Sequence, residues 1–191
     1  MNLEELLRRL REEVRRTLPE AGTHGYEHTE RVYRMALHIG GRVGADLDIL
    51  LPAALLHDIG RGEDNHAEAG ARKAREILEM LGVDPNRIEA IVEAIETHSF
   101  SEGRKPRTLE AKVLSDADKL DAMGAIGIYR AATYSGEHQR PLEGFVQHFH
   151  EKLLRLRELL YTEEAKRMAE ERHRFMLRYL EQLRRELNLE T

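Results

Sequence analysis

Apolar residues recur along this chain at helical rather than strand spacing. Leu3, Leu6, Leu7, Leu10, Val14 and Leu18 mark a first helix, which Pro19 closes. A second is expected from about Tyr26 to Val43, entered through the turn-like Gly22–Gly25 and left through Gly44. Asp48 is the expected cap of a third, where Ile49, Leu50, Ala53, Ala54, Leu55 and Leu56 are so apolar that the helix must be central. It should end at His57-Asp58-Ile59-Gly60, before a polar loop at Arg61–Asn65. His66 to Leu81 read as a fourth helix stopped by Gly82, and Asp84-Pro85 opens a fifth that runs to about His98. Beyond a loop at Ser99–Arg107, Thr108 and Glu110 precede one long apolar stretch to about Tyr134. After a loop at Gly136–Pro141, two more helices are expected near Leu142–Leu160 and Thr162–Leu187.

No alternating strand pattern stands beside these, and no repeat or Pro/Gly/Ser-rich linker divides the chain. The expected fold class is all-α, a single-domain helical bundle over residues 1–191. The motif-bearing core lies at about 20–135, with flanking helices at 1–19 and 141–191. The amphipathic first and last helices suit either intramolecular packing or a homodimer seam.

Composition narrows the chemistry. Thirty basic against 35 acidic residues leave a net charge of −5, which does not favour duplex nucleic acid as a partner. The longest apolar run is far short of a membrane span. The start, MNLEELLRRLREEV, lacks the apolar core of a signal peptide, so a cytoplasmic location is the expectation. With no cysteine and ten histidines, any metal must sit on imidazole and carboxylate.

The histidines and aspartates gather where helices end. His57-Asp58 closes the most apolar helix, and an Asp at a helix C-terminus is electrostatically unfavourable unless a cation lies nearby; the alternative is a polar pair in a loop. His28 lies one turn into the second helix, with His24 four residues before and Arg31 three after, so that all three are expected on one face. In SDADKLD (residues 115–121) the three aspartates diverge around a helix. The simplest arrangement turns Asp118 inward, where it asks for a cation or a donor, and leaves Asp116 or Asp121 as support. The competing arrangement is a solvated stripe. His66 begins one helix and His98 ends another, beside the loop that holds Asp58. Mn, Mg, Fe, Ni or Co suits a set of two His and two Asp.

His28, then His57-Asp58, then Asp118, in an all-helical chain, resembles the HD superfamily of metal-dependent phosphohydrolases. The local text is GYEHTERVYRMA around the first His, ALLHDIGRG around the pair and LSDADKLDAMGAIGIYR around the last Asp. It is similar to the small single-domain HD hydrolases, over roughly residues 20–135. The resemblance implies metal ligation by His28, His57, Asp58 and Asp118. It makes His66 and His98 either ligands of a second ion or phosphate-facing catalytic groups. Only eight positions separate Asp58 from His66, where binuclear members generally carry a longer insertion, so one tight ion is preferred and a second stays open.

The implied reaction is attack on phosphorus by a metal-activated water. Arg31, Arg61 and Lys119 are candidates to bind the substrate anion, and Glu63 or Asp64 to orient the water or accept its proton. The polar stretch YSGEHQRP (residues 134–141) suits a lid over a phosphate-bearing ligand or plain solvated surface. A nucleotide is the leading substrate class, with a (deoxy)nucleoside triphosphate cut to monophosphate and pyrophosphate ahead of a cyclic dinucleotide. Two other readings of the same fold are a di-iron oxygenase and a low-turnover nucleotide-binding regulatory module.

Overall fold

A computed structural model describes residues 1–63, 66–98 and 105–190, the side chains of 66 and 67 excepted. Among the described residues there are nine α-helices, one 3₁₀ segment and no strand, so the all-α expectation holds. They are α1 (Leu3–Thr17), α2 (Tyr26–Val43), α3 (Leu47–Leu56), α4 (His66–Met80), α5 (Pro85–His98), α6 (Leu109–Asp121), α7 (Gly124–Glu137), α8 (Leu142–Glu151) and α9 (Glu163–Leu187). The chain forms two compact units, Met1–Asp118 and Lys119 onward.

The first unit is built around α3. Every residue from Leu50 to Leu56 is buried, because α1, α2 and α5 all pack on this short helix. Its cap is Asp46 rather than Asp48: the Asp46 side chain accepts from the Asp48 backbone N–H, which places Asp48 in the first turn. Pro52 inside the helix cannot donate to the Asp48 carbonyl. Arg87 supplies the missing proton from its Nε at 3.0 Å, tying the start of α5 to α3. Asp84 caps α5 as expected, accepting from the Asn86 and Arg87 backbone N–H groups. Gly44 ends α2 in the left-handed conformation at φ 75°, open to glycine at little cost. Ser115 on α6 donates to the His98 carbonyl at 2.7 Å and so satisfies the buried end of α5.

The apolar stretch from Leu109 to Tyr134 is two helices, not one. The break comes at Met123-Gly124, where Gly124 takes φ 69° and starts α7. In the second unit α9 lays Ala165, Ala169 and Met176 inward and packs on α7. Phe145 and Phe149 meet Tyr179 edge-on and stacked. The expected helix over 142–160 closes at Glu151 and continues as a 3₁₀ segment, Leu153–Leu159. Half of the stretch expected as a lid or solvated surface is helix, because α7 runs to Glu137 and only 138–141 connect it to α8.

Candidate metal centre

Four elements of the first unit deliver donors to one buried spot. His28 comes from the first turn of α2, His57 and Asp58 from the end of α3, His98 from the end of α5, and Asp118 from α6. His28 and His57 present their Nε2 atoms to each other at 3.3 Å. The His28 Nε2 also lies 3.4 Å from Asp118 Oδ1 and 3.5 Å from Asp58 Oδ2, and the His57 Nε2 lies 3.7 Å from Asp58 Oδ2. His28, His57, Asp58 and His98 are buried, while Asp118 keeps a third of its side chain open.

Two helix ends fix the imidazole tautomers in the same way. The His57 Nδ1 sits 2.8 Å from the Ala54 carbonyl, and the His98 Nδ1 sits against the Ile95 carbonyl, each three residues back. A carbonyl only accepts, so both Nδ1 atoms carry the proton and both Nε2 atoms keep a lone pair. The orphan carbonyls of a helix C-terminus thus orient two donors at no cost in unsatisfied polar groups.

Charge in the pocket is arranged for ligation. Burial pushes the His57 imidazole down to about 4, with help from His28 and His98 and against the pull of Asp58, so the ring is neutral near pH 7. Burial alone would raise Asp58, but His57, the hydrogen bond from His24, His28 and Arg61 together hold it well below the carboxylate range. Asp118 follows the same pattern: burial opposes ionisation, while the His28 hydrogen bond and the surrounding imidazoles win. Neutral imidazoles and ionised carboxylates are the forms that bind a cation. Among the described residues, three overlapping groups, each with donor atoms within 4.8 Å of one another, arise here: His24, His28 and Asp58; His28, His57 and Asp118; His57, Asp58 and His98. The donor set fits a divalent ion with tolerance for both nitrogen and oxygen.

A family model for the HD domain matches residues 25–123, which hold His28, His57, Asp58, His98 and Asp118. The chain belongs to the HD domain family. It is 35% identical to YpgQ of Bacillus subtilis over 177 residues, 88% of this chain and 86% of that one. The crystal structure of B. subtilis YpgQ in complex with ADP superposes with a TM-score of 0.84 at 32% identity, covering 97% of both chains. An HD-superfamily hydrolase from Bacillus thuringiensis superposes with a TM-score of 0.82 at 33% identity, over 98% of this chain and 99% of that one.

The remaining sequence candidates of this HD chain fall in different places. Arg61 reaches the cluster's open edge, with Nε 3.8 Å from Asp58 Oδ1. Arg31 lines a groove of about 520 Å³ with Arg11, Arg15, Tyr26 and Glu30, formed by α1 and α2. Lys119 is buried with its ammonium 5.1 Å from the Tyr161 ring. Glu63 forms ion pairs with Lys73, and with Arg72 at 3.0 Å, on the surface of α4. Asp64 and the His66 side chain lie outside the described residues. Asp116 and Asp121 are buried rather than solvated, and Asp121 pairs with Arg130 at 3.1 Å.

The sequence spacing predicts His24 on one helical face with His28 and Arg31. It is not on the helix at all: Gly25 caps α2, so the spacing of four residues carries no helical meaning there. From the preceding turn His24 instead reaches Asp58 Oδ2 at 2.8 Å. No periodicity could have given that contact, because it crosses 34 positions of sequence.

Proposed function

We propose that this protein is a metal-dependent phosphohydrolase acting on a nucleotide. The observation that carries the proposal is the convergence of His28 Nε2, His57 Nε2, Asp58 Oδ2 and Asp118 Oδ1 in one buried pocket. These four residues would hold the ion. A divalent ion there would supply Lewis acidity toward water and toward a phosphoryl oxygen.

The chain's own groups account for the rest. The Nδ1–H bonds to Ala54 and Ile95 keep the His57 and His98 rings from rotating, so their lone pairs stay aimed inward. Arg61 stands at the open edge, where a guanidinium can meet phosphoryl oxygens in two-pronged fashion. Asp118 is the more open of the two carboxylates, with a third of its side chain exposed. His66 remains the proposed partner of His98 in meeting the substrate, and Asp64 the proposed proton acceptor, since Glu63 is engaged by Lys73 and Arg72. A nucleotide is supported by the ADP complex of YpgQ, and our preferred substrate is a (deoxy)nucleoside triphosphate. We extend the proposal to residues 1–191 as one HD hydrolase domain.

The group formed by His57, Asp58 and His98 would serve a second ion, which keeps a binuclear, di-iron reading in view. Chromatography of products after incubation with Mn²⁺ and a panel of ribo-, deoxyribo- and cyclic nucleotides tests the function, with His57→Ala and Asp58→Ala alongside. Metal-dependent release of phosphate or pyrophosphate, lost in both variants, is expected. A folded, metal-loaded protein that turns over none of the panel would reject the nucleotide reading. Two irons per chain would then favour oxidative chemistry.

A further inference from the structure

Asp58 is gripped from the outside as well as from the pocket. Its Oδ2 faces His28 and His57, yet its shortest contact is to neither: His24 Nδ1 lies 2.8 Å away. A carboxylate accepts, so the His24 Nδ1 carries the proton and donates it. The Arg61 Nη2 sits 2.7 Å from both nitrogens of the same ring. Since Nδ1 is committed to Asp58, the guanidinium proton goes to Nε2. The His24 ring packs edge-on against His28, with centroids 5.5 Å apart, which fixes its plane. A chain of hydrogen bonds therefore runs from Arg61 through His24 to Asp58, and it uses both ring nitrogens.

That double commitment separates His24 from His57 and His98. His57 and His98 spend Nδ1 on a backbone carbonyl and keep Nε2 for the pocket. His24 spends Nδ1 on a carboxylate that is itself a ligand candidate and Nε2 on Arg61. Its side chain is 36% exposed, against 4% for Asp58, so it stands over the carboxylate at the mouth of the site.

We propose that His24 is a positioning residue for Asp58: it fixes the rotation of the carboxylate about its Cβ–Cγ bond so that Oδ2 stays turned toward His28 and His57. The inference rests on the metal-site reading above and adds to it a residue outside the four ligands. Groups that hydrogen-bond a ligating carboxylate commonly set metal affinity by 10–100-fold.

The test measures metal binding without substrate or turnover. The metal-stripped full chain and its His24→Ala, His24→Asn and His24→Gln variants are titrated calorimetrically with Mn²⁺. The visible spectrum of the Co²⁺ form is recorded as a second readout. Asn places its Nδ2 donor close to where the imidazole carries Nδ1–H, whereas Gln mimics the Nε2 side. The expected result is a Kd weakened by about 10–100-fold in His24→Ala, close to wild type in His24→Asn, and weakened again in His24→Gln. The Co²⁺ spectrum should be shifted only in the Ala and Gln forms. An Ala variant that binds like wild type overturns the proposal. So does an Asn variant as weak as Ala, or a Gln variant that alone restores binding, because the ring would then act as a ligand through Nε2. A wild-type chain that binds neither ion removes the metal-site reading, and this proposal with it; the other outcomes leave that reading standing.

Discussion

The Nε2 atoms of His28 and His57, both buried residues, face each other across 3.3 Å. At His57 the lone pair is there by necessity, since its Nδ1 proton is held by the Ala54 carbonyl. Two imidazole nitrogens aimed at each other between two ionised carboxylates form a donor set, and its removal has defined consequences.

Truncation of His57 should abolish tight metal binding. The His57→Ala chain is expected to bind Mn²⁺ at least 100-fold more weakly, measured by titration calorimetry, because a direct ligand should matter more than a residue that merely supports one. An affinity within threefold of wild type would remove His57 from the ligand set.

Metal should stabilise the fold. Ligands drawn from α2, α3 and α6 exist as a set only in the folded state, so a saturating ion favours that state by mass action. At 100 times Kd the gain is about 2.7 kcal/mol, or roughly 5–10 °C in Tm for a chain of this size. Calorimetric melts with Mn²⁺, then with excess chelator, check it. Coincident melts would contradict the site.

The metal-free protein should lose stability in mild acid. His57 in the fold is held down at about 4, against 6.5 for an ordinary His, so the neutral ring is the form the fold favours. Above pH 6.5 its contribution is fully present. As pH falls from 6.5 toward 4 the unfolded chain takes up a proton that the folded chain refuses, and stability drops by on the order of 3 kcal/mol. His148 and His173, also lowered by burial, act in the same direction. Urea midpoints of chelator-treated protein at pH 7.5, 6 and 5 should fall in that order, and a flat series would contradict the neutral, buried His57.

Gly40 should resist enlargement. A Cβ there would overlap the Leu50 side chain where α2 crosses α3, and Leu50 is wholly buried with no room to withdraw. Gly40→Ala is expected to destabilise by about 1–3 kcal/mol in denaturant melts. Gly41, with nothing near its missing Cβ, is the control, and Gly41→Ala should be neutral or slightly stabilising.

Much of this protein is legible in its sequence. The bounds of α2 and α5 follow from Gly25, Gly44 and the Asp84-Pro85 start, because caps and breakers act locally. The centrality of α3 follows from a run of apolar residues too continuous for one helical face. The order His28, His57-Asp58, Asp118 resembles the HD family in the sequence alone. Harder to read were local choices settled by competition. Asp46 and Asp48 are both good caps, and Asp46 serves because its backbone N–H also finds Glu110 of α6 at 2.8 Å. The break at Met123-Gly124 is marked in sequence only by a glycine inside an apolar stretch, and Gly127 nearby is helical.

By itself the sequence determined the helices, the apolar core and the identity of the donors, since periodicity, capping and residue chemistry are properties of neighbouring positions. Only the tertiary structure decided how the donors are used. It turned Asp118 to His28, set His24 behind Asp58 and brought Arg61 to the His24 ring. Those relationships join side chains separated by 34 positions and more, and their geometry depends on how helices cross, which no local pattern encodes.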